Sequence, residues 1–242
     1  MIQKSMKQVG KIFGAPIVIE GRTWFPLVQL ITWGIMTWLA GRQKKHRKPI
    51  ERMAVGAITM PVVLGSEWGH NLAHAAIANR IGKPADGFMV IGGMPRLIYQ
   101  DINDCTVSPK QHTVRALGGP VFNLGLLLLA LFFRHLSPPN SLRREVADVA
   151  VRVNAFIGFI ALLPIPFIDG GPILKWWLVH RGRDPLQADD IVRKVNGIMG
   201  CAMSTTSFIA AKKRRWLMAV LLALFAGTSL GVASGLIKEQ VE

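Results

Sequence analysis

Cysteine and acidic side chains are scarce in this 242-residue chain: it has two Cys, and 14 Asp and Glu against 29 Lys and Arg. Cys105 and Cys201 are far apart in sequence, so they form neither a disulfide framework nor a close-spaced metal-ligand pair. A net charge of +15 would suit nucleic acid in a soluble protein. Here the basic residues lack the aromatic interleaving of such surfaces, and no nucleic-acid partner is expected. The N-terminal MIQKSMKQVGKIFGAP has no apolar core followed by a small-residue cleavage site. No signal peptide is therefore expected, and the first span is expected to deliver the chain to the membrane.

What the chain does have is long apolar runs. Residues 23–41, 116–133 and 216–237 carry no charge, and each is near the ~20 residues that a helix needs to cross a ~30 Å hydrocarbon layer. Basic clusters at 42–52 and 212–215 fall between apolar runs, where Lys and Arg set topology and meet anionic lipid. The pattern predicts an all-α polytopic membrane protein with five or six transmembrane helices and the lipid bilayer as a partner.

Three regions follow. Residues 1–22 read as an N-terminal membrane-surface segment with a β-like run at 16–19. Residues 23–180 form a transmembrane core, and 181–242 a polar linker with the C-terminal span or spans. In the core, Trp24 and Trp38 mark the ends of the first span, and 53–79 make the second. Glycine and proline punctuate 80–115, which predicts a short surface β region after the second span. GGPVFN opens the third span, where small residues permit close helix contact. A polar loop at 135–152 leads to a fourth segment, 153–174, broken by the prolines and paired glycines of LLPIPFIDGGPIL. The backbone groups freed at such a break must be satisfied by protein or water. Residues 195–211 are either a fifth span or a surface helix.

Among the acidic residues only Glu67 and Asp169 lie well inside apolar segments, and among the histidines only His70 and His74. Ionisable groups at membrane depth are costly and point to function. His70 and His74 are spaced i, i+4, which brings both imidazoles to one face of a helix within reach of a single metal ion. Taken singly, each has an ordinary explanation: a histidine can be a packing residue, and Asp169 can cap the helix break. Depth joins them. The second and fourth segments run in the same direction, and all three side chains fall roughly 8 to 13 Å from the same face at 1.5 Å per residue. Asp169 is the candidate third ligand, leaving a fourth position for water.

These residues resemble the site-2 protease family of intramembrane zinc metalloproteases. HNLAHAAIANRIGKPADGF looks like the family's HExxH block and the Gly-rich β region after it. GGPVFN is similar to its GPxxN-like helix start, and LLPIPFIDGGPIL to its LLPxPxLDGG block. GAPIVIEGRTWF resembles the surface strand before its first helix. The resemblance covers roughly residues 13–180. It implies Zn2+ held by His70, His74 and Asp169, and hydrolysis of peptide bonds in transmembrane helices of substrate proteins. Two positions depart from the family. Asn71 stands where the family has its general-base glutamate, and Ala161 where it often has an asparagine that holds substrate backbone.

An amide is no base near neutral pH, and loss of general-base assistance costs about 10² to 10⁴ in rate. Glu67, one turn before Asn71, has three open roles: a relocated base, a fourth zinc ligand, or an acceptor for an imidazole N–H. Reading SEWGH as the metal motif would lose the first ligand and misplace the following Gly82. Whether the chain is an enzyme therefore stays open at this point, between a metalloprotease and a pseudo-protease that binds transmembrane helices. With five spans the basic residues favour the N-terminal side as cytoplasmic. That orientation predicts a cell inner-membrane protein with its site toward the cytoplasm.

Overall fold

Short β-branched runs alternate with long apolar helices along the chain. The computed structural model describes residues 6–20, 26–101, 103–104 and 106–237. The elements are β1 (Met6–Ile12), β2 (Ala15–Glu20), α1 (Leu27–Gln43), α2 (Pro49–Arg80), β3 (Gly87–Ile91), β4 (Met94–Ile98), α3 (Pro109–Leu136), α4 (Leu142–Ala161), α5 (Gly170–His180), α6 (Pro185–Lys212) and α7 (Trp216–Ala233). Trp24 and Cys105 lie outside the described residues. Two compact units divide the chain: Met1–Ile102 with Gly118–Phe159, and Asn103–Leu117 with Ile160–Glu242.

In the first unit the strands form one sheet in the order β1-β2-β3-β4. Both outer pairs are antiparallel, and β2 runs parallel to β3 with Ile17 opposite Phe88. Each hairpin closes through two residues at positive φ, Phe13–Gly14 and Gly92–Gly93. That backbone hand matches strand twist. The β region expected after the second span is β3 and β4. β2 contains the β-like run expected at 16–19; the all-α expectation is corrected by β1 pairing with it, which brings the N-terminal segment into the same sheet. β1 hides in sequence because MKQVGKI carries lysines, a common feature of an unpaired sheet edge.

The sheet rests on α2. Trp68, Leu72 and Ala75 share one helical face and pack with Ala15, Ala85 and Phe88, and the Trp68 indole N–H donates to the Gly93 carbonyl at 3.1 Å. At about 100° per residue, Ser66, His70 and His74 lie on the opposite face of α2. Packing of the sheet thereby sets the rotation of the helix that carries both histidines.

Residues 135–152 are not the polar loop expected: α4 begins at Leu142. Its charged first turns are matched by charge from elsewhere in the unit. Arg47 donates to both carboxylate oxygens of Glu145 at 2.7 and 2.5 Å, Lys44 pairs with the same carboxylate, and Arg134 reaches Asp148 at 2.6 Å.

In the second unit, α4 stops at Ala161 and the chain turns through 162–169 before α5. The break satisfies itself as the sequence requires. The Ile165 and Ile168 amides donate to Leu163 and Ile165 carbonyls at 2.7 and 2.9 Å, and the buried Asn196 amide of α6 donates to the Pro164 carbonyl at 2.6 Å. Residues 195–211 are part of α6, a continuous helix that Asp184 caps through the Leu186 amide at 2.8 Å. α6 packs on α7 through Gly200, whose missing Cβ leaves room for Leu230. The described residues thus hold seven helices against five or six expected, because the break splits the fourth segment into α4 and α5. By length and composition α3 and α7 can cross a bilayer.

The Glu145 cluster yields a pH prediction. Burial pushes its carboxyl up, but hydrogen bonds and charge from Arg47 and Lys44 outweigh this and hold it below the ordinary 4.5. Its stabilisation is therefore full above 4.5 and is lost as pH falls through the lowered folded value. Glu145→Gln should cost roughly 1–3 kcal/mol at neutral pH. Thermal unfolding in detergent should show the gap between wild type and variant closing in acid.

Candidate metal centre

Two imidazoles on successive turns of α2 form the centre of the site. His70 and His74 are both buried, and their Nε2 atoms lie 3.1 Å apart with the rings nearly perpendicular at 76°. Two nitrogens bound to one tetrahedral zinc at 2.0–2.1 Å would be about 3.3 Å apart. The pair therefore already has nearly the spacing that an ion needs.

A chain of buried amides fixes His70. Its Nδ1 meets Asn123 Oδ1 at 2.5 Å. Asn123 Nδ2 donates to Asn154 Oδ1 at 2.8 Å, and Asn154 Nδ2 to Ser66 Oγ at 3.1 Å. The Ser66 hydroxyl donates to the Val62 carbonyl at 2.8 Å. Because each amide nitrogen must donate, Asn123 Oδ1 is left as the acceptor for His70 Nδ1–H. The ring's unprotonated nitrogen is then Nε2, which faces His74. Such partners set tautomer and ring orientation at metal sites.

GGPVFN does more than permit close helix contact: it places α3 against the histidines. A Cβ on Gly118 would lie 3.0 Å from the Ala73 carbonyl and 3.1 Å from His74 Cα. One on Gly119 would overlap ring atoms of both histidines. The Gly119 amide points at His74 Nδ1 across 3.4 Å. Gly119, Asn123 and Asn154 are the site residues that spacing arguments missed. The GPxxN-like pattern was the signal for the first two, and a lone asparagine in an apolar run the signal for the third.

Asn71 and Glu67 sit together on α2. The Asn71 amide donates to the Glu67 backbone carbonyl at 3.1 Å and toward its carboxylate at 3.4 Å. At His70 Nδ1 the acceptor is Asn123, so that one imidazole position is not served by Glu67.

Asp169 belongs to the second unit, half-buried at the last position of the break. Its side chain makes no capping bond to α5, so capping does not explain it. The glycines that follow have a packing reason. A Cβ on Gly170 would strike the Leu162 and Leu163 carbonyls, and one on Gly171 the Ile165 carbonyl. Ala161 is the buried last residue of α4.

No family model matches the chain. Rip3 of Mycobacterium tuberculosis, a protein named as a zinc metalloprotease, is 28% identical over 188 residues, covering 74% of this chain and 45% of Rip3. MJ0611 of Methanocaldococcus jannaschii, named likewise, is 30% identical over 79 residues, covering 33% of this chain and 39% of MJ0611. The aligned chain thus spans less than half the length of these relatives. The solved Site-2 Protease from Methanocaldococcus jannaschii has the same fold, with a TM-score of 0.54 over 98% of both chains at 14% identity. The chain resembles the site-2 protease family in fold and in its named relatives. In the registry His70–Asn71–Leu72–Ala73–His74 an asparagine follows the first histidine.

The geometry predicts how metal binding is lost. Asn123→Ala should weaken zinc affinity by about 10- to 100-fold, measured by competition with a chromogenic chelator. Gly119→Ala improves intrinsic helix propensity yet drives a methyl into both rings, so it should lower bound zinc with helix content intact by circular dichroism.

Proposed function

We propose that the chain binds one zinc ion through a ring nitrogen each of His70 and His74 and a carboxylate oxygen of Asp169, and hydrolyses peptide bonds in transmembrane helices of other proteins. The observation that carries this reading is the pair of Nε2 atoms 3.1 Å apart with His70 locked by Asn123. Two imidazoles and a carboxylate suit zinc and leave a fourth position open. Zinc in such a set supplies a Lewis acid and makes water nucleophilic near neutral pH. The names of Rip3 and MJ0611 support the metal and the reaction class.

The chain's own residues divide the remaining tasks. Asn123 and Gly119 hold the imidazoles and admit them to the crossing of α2 and α3. The proton that the family's glutamate would take has one nearby acceptor on this helix, the Glu67 carboxylate beside Asn71. In this reading Glu67 is a relocated base. The protein lies in the cell inner membrane with the centre toward the cytoplasm, as the basic-residue asymmetry favours. Its partners are transmembrane-helix proteins.

Asn71 itself favours a second reading. An amide at the base position suits a pseudo-protease that binds transmembrane helices and keeps zinc as a structural ion.

Metal analysis of purified wild type, His70→Ala and Asp169→Ala tests the centre: one zinc per chain in wild type and a loss in both variants is expected, and unchanged zinc in both overturns it. Cleavage of a helical membrane substrate separates the readings. Activity in wild type that vanishes in Glu67→Gln assigns the proton to Glu67. Activity that appears only in Asn71→Glu, by about 10² to 10⁴ over background, marks a pseudo-protease.

A further inference from the structure

The first unit contains an apolar cavity of about 950 Å³ between α2, α3 and α4, lined by Ser66 and Asn154 of the amide chain but not by the histidines. Its walls are aliphatic and aromatic, among them Ile58, Val62, Leu126, Leu129, Phe133 and Val146. Polar groups lie only at its two ends, and those ends differ. At the inner end Ser66 and Asn154 spend their hydrogen bonds on each other, on Asn123 and on the backbone. That end has no demand for a polar ligand and suits a hydrocarbon terminus. At the outer end stand Ser137, Ser141 and Arg143, and Arg143 is the one charged residue in the lining.

The spacing of its two ends suits one kind of occupant. Arg143 and Asn154 are both on α4 and eleven residues apart, about 16 Å at 1.5 Å per residue. Half of a ~30 Å hydrocarbon layer is about 15 Å. The lining between these residues is about as long as one leaflet is thick, with a lone guanidinium at its polar end and no carboxylate in its wall. We propose that it seats one acyl chain of an anionic phospholipid, with the phosphate at Arg143 and the methyl end against Ser66 and Asn154. Gly65 lines the same cavity, and a Cβ there would meet open space. A larger side chain can fill the cavity from α2 without a backbone clash.

The full chain in detergent micelles, titrated with palmitoyl-oleoyl phosphatidylglycerol or the phosphatidylcholine of the same chains, tests this by native mass spectrometry. Wild type should retain phosphatidylglycerol about fivefold better than phosphatidylcholine, the weight of one arginine at a membrane surface. Arg143→Gln should erase that preference while still holding both lipids weakly, and Gly65→Leu should lose both. Equal retention of the two lipids by wild type, or unchanged retention in Gly65→Leu, would mean adventitious annular lipid only and would overturn the proposal. A protein dimer in the same spectra, dispersed by Gly65→Leu, would overturn it in favour of a second copy.

Discussion

Polar atoms buried in apolar helices must satisfy one another, and where α2, α3 and α4 meet in the first unit a single buried sequence of donors does so. An unpartnered amide or hydroxyl in such surroundings costs several kcal/mol. Ser66, His70, Asn123 and Asn154 come from three helices and are all buried, yet each has its partner. Removing any one of them strands at least one other. The chain therefore does two jobs: it fixes the relative rotation of α2, α3 and α4, and it presents one defined nitrogen of His70 to His74. Stability and chemistry rest on the same atoms. This explains why the crossing has to be made at Gly118 and Gly119, since any Cβ at Gly119 would occupy the space of the rings themselves.

The sheet supplies the complementary constraint. α2 could bury several faces, but Trp68 donates to Gly93 and Ala75 packs with Phe88, so the 68–72–75 face is taken by strands. The face bearing His70 and His74 is then the one left for α3. Gln29 also donates to Gly93, at 2.6 Å, so the start of α1 and α2 share an anchor on the β3–β4 turn. The Gly92–Gly93 pair allows this because its positive φ values turn that carbonyl toward both helices.

Sequence made some of this legible and hid the rest for physical reasons. His70 and His74 could be paired because i, i+4 spacing has one meaning on a helix. The break at 162–169 was visible because Pro164, Pro166 and the paired glycines cannot continue an apolar helix. Asn123 could not be given its role from spacing, because an amide takes its meaning from what lies across a helix crossing. The start of α4 read as a loop because Glu145 and Asp148 look solvated in one dimension. In three dimensions Arg47, Lys44 and Arg134 neutralise them. β1 read as a surface segment because its lysines dilute the alternation that marks a strand. Local periodicity survives in sequence, whereas pairings between distant elements do not.

The departure at Asn71 gains meaning from this architecture. The imidazoles have a spacing close to that of two zinc ligands, and Gly119 leaves room for both rings. Both features surround a residue that cannot take a proton. The geometry is compatible with an ion whether or not the centre hydrolyses anything. The base position is also not isolated, since the Asn71 amide leads toward the Glu67 carboxylate one turn away. Glu67 is rooted one helical turn, about 5.4 Å along the axis, from Asn71, and its side chain spans that turn to bring the carboxylate within 3.4 Å of the amide. A base held there would depend on its rotamer, so any hydrolysis by this centre should be slower than that of a site with glutamate in place.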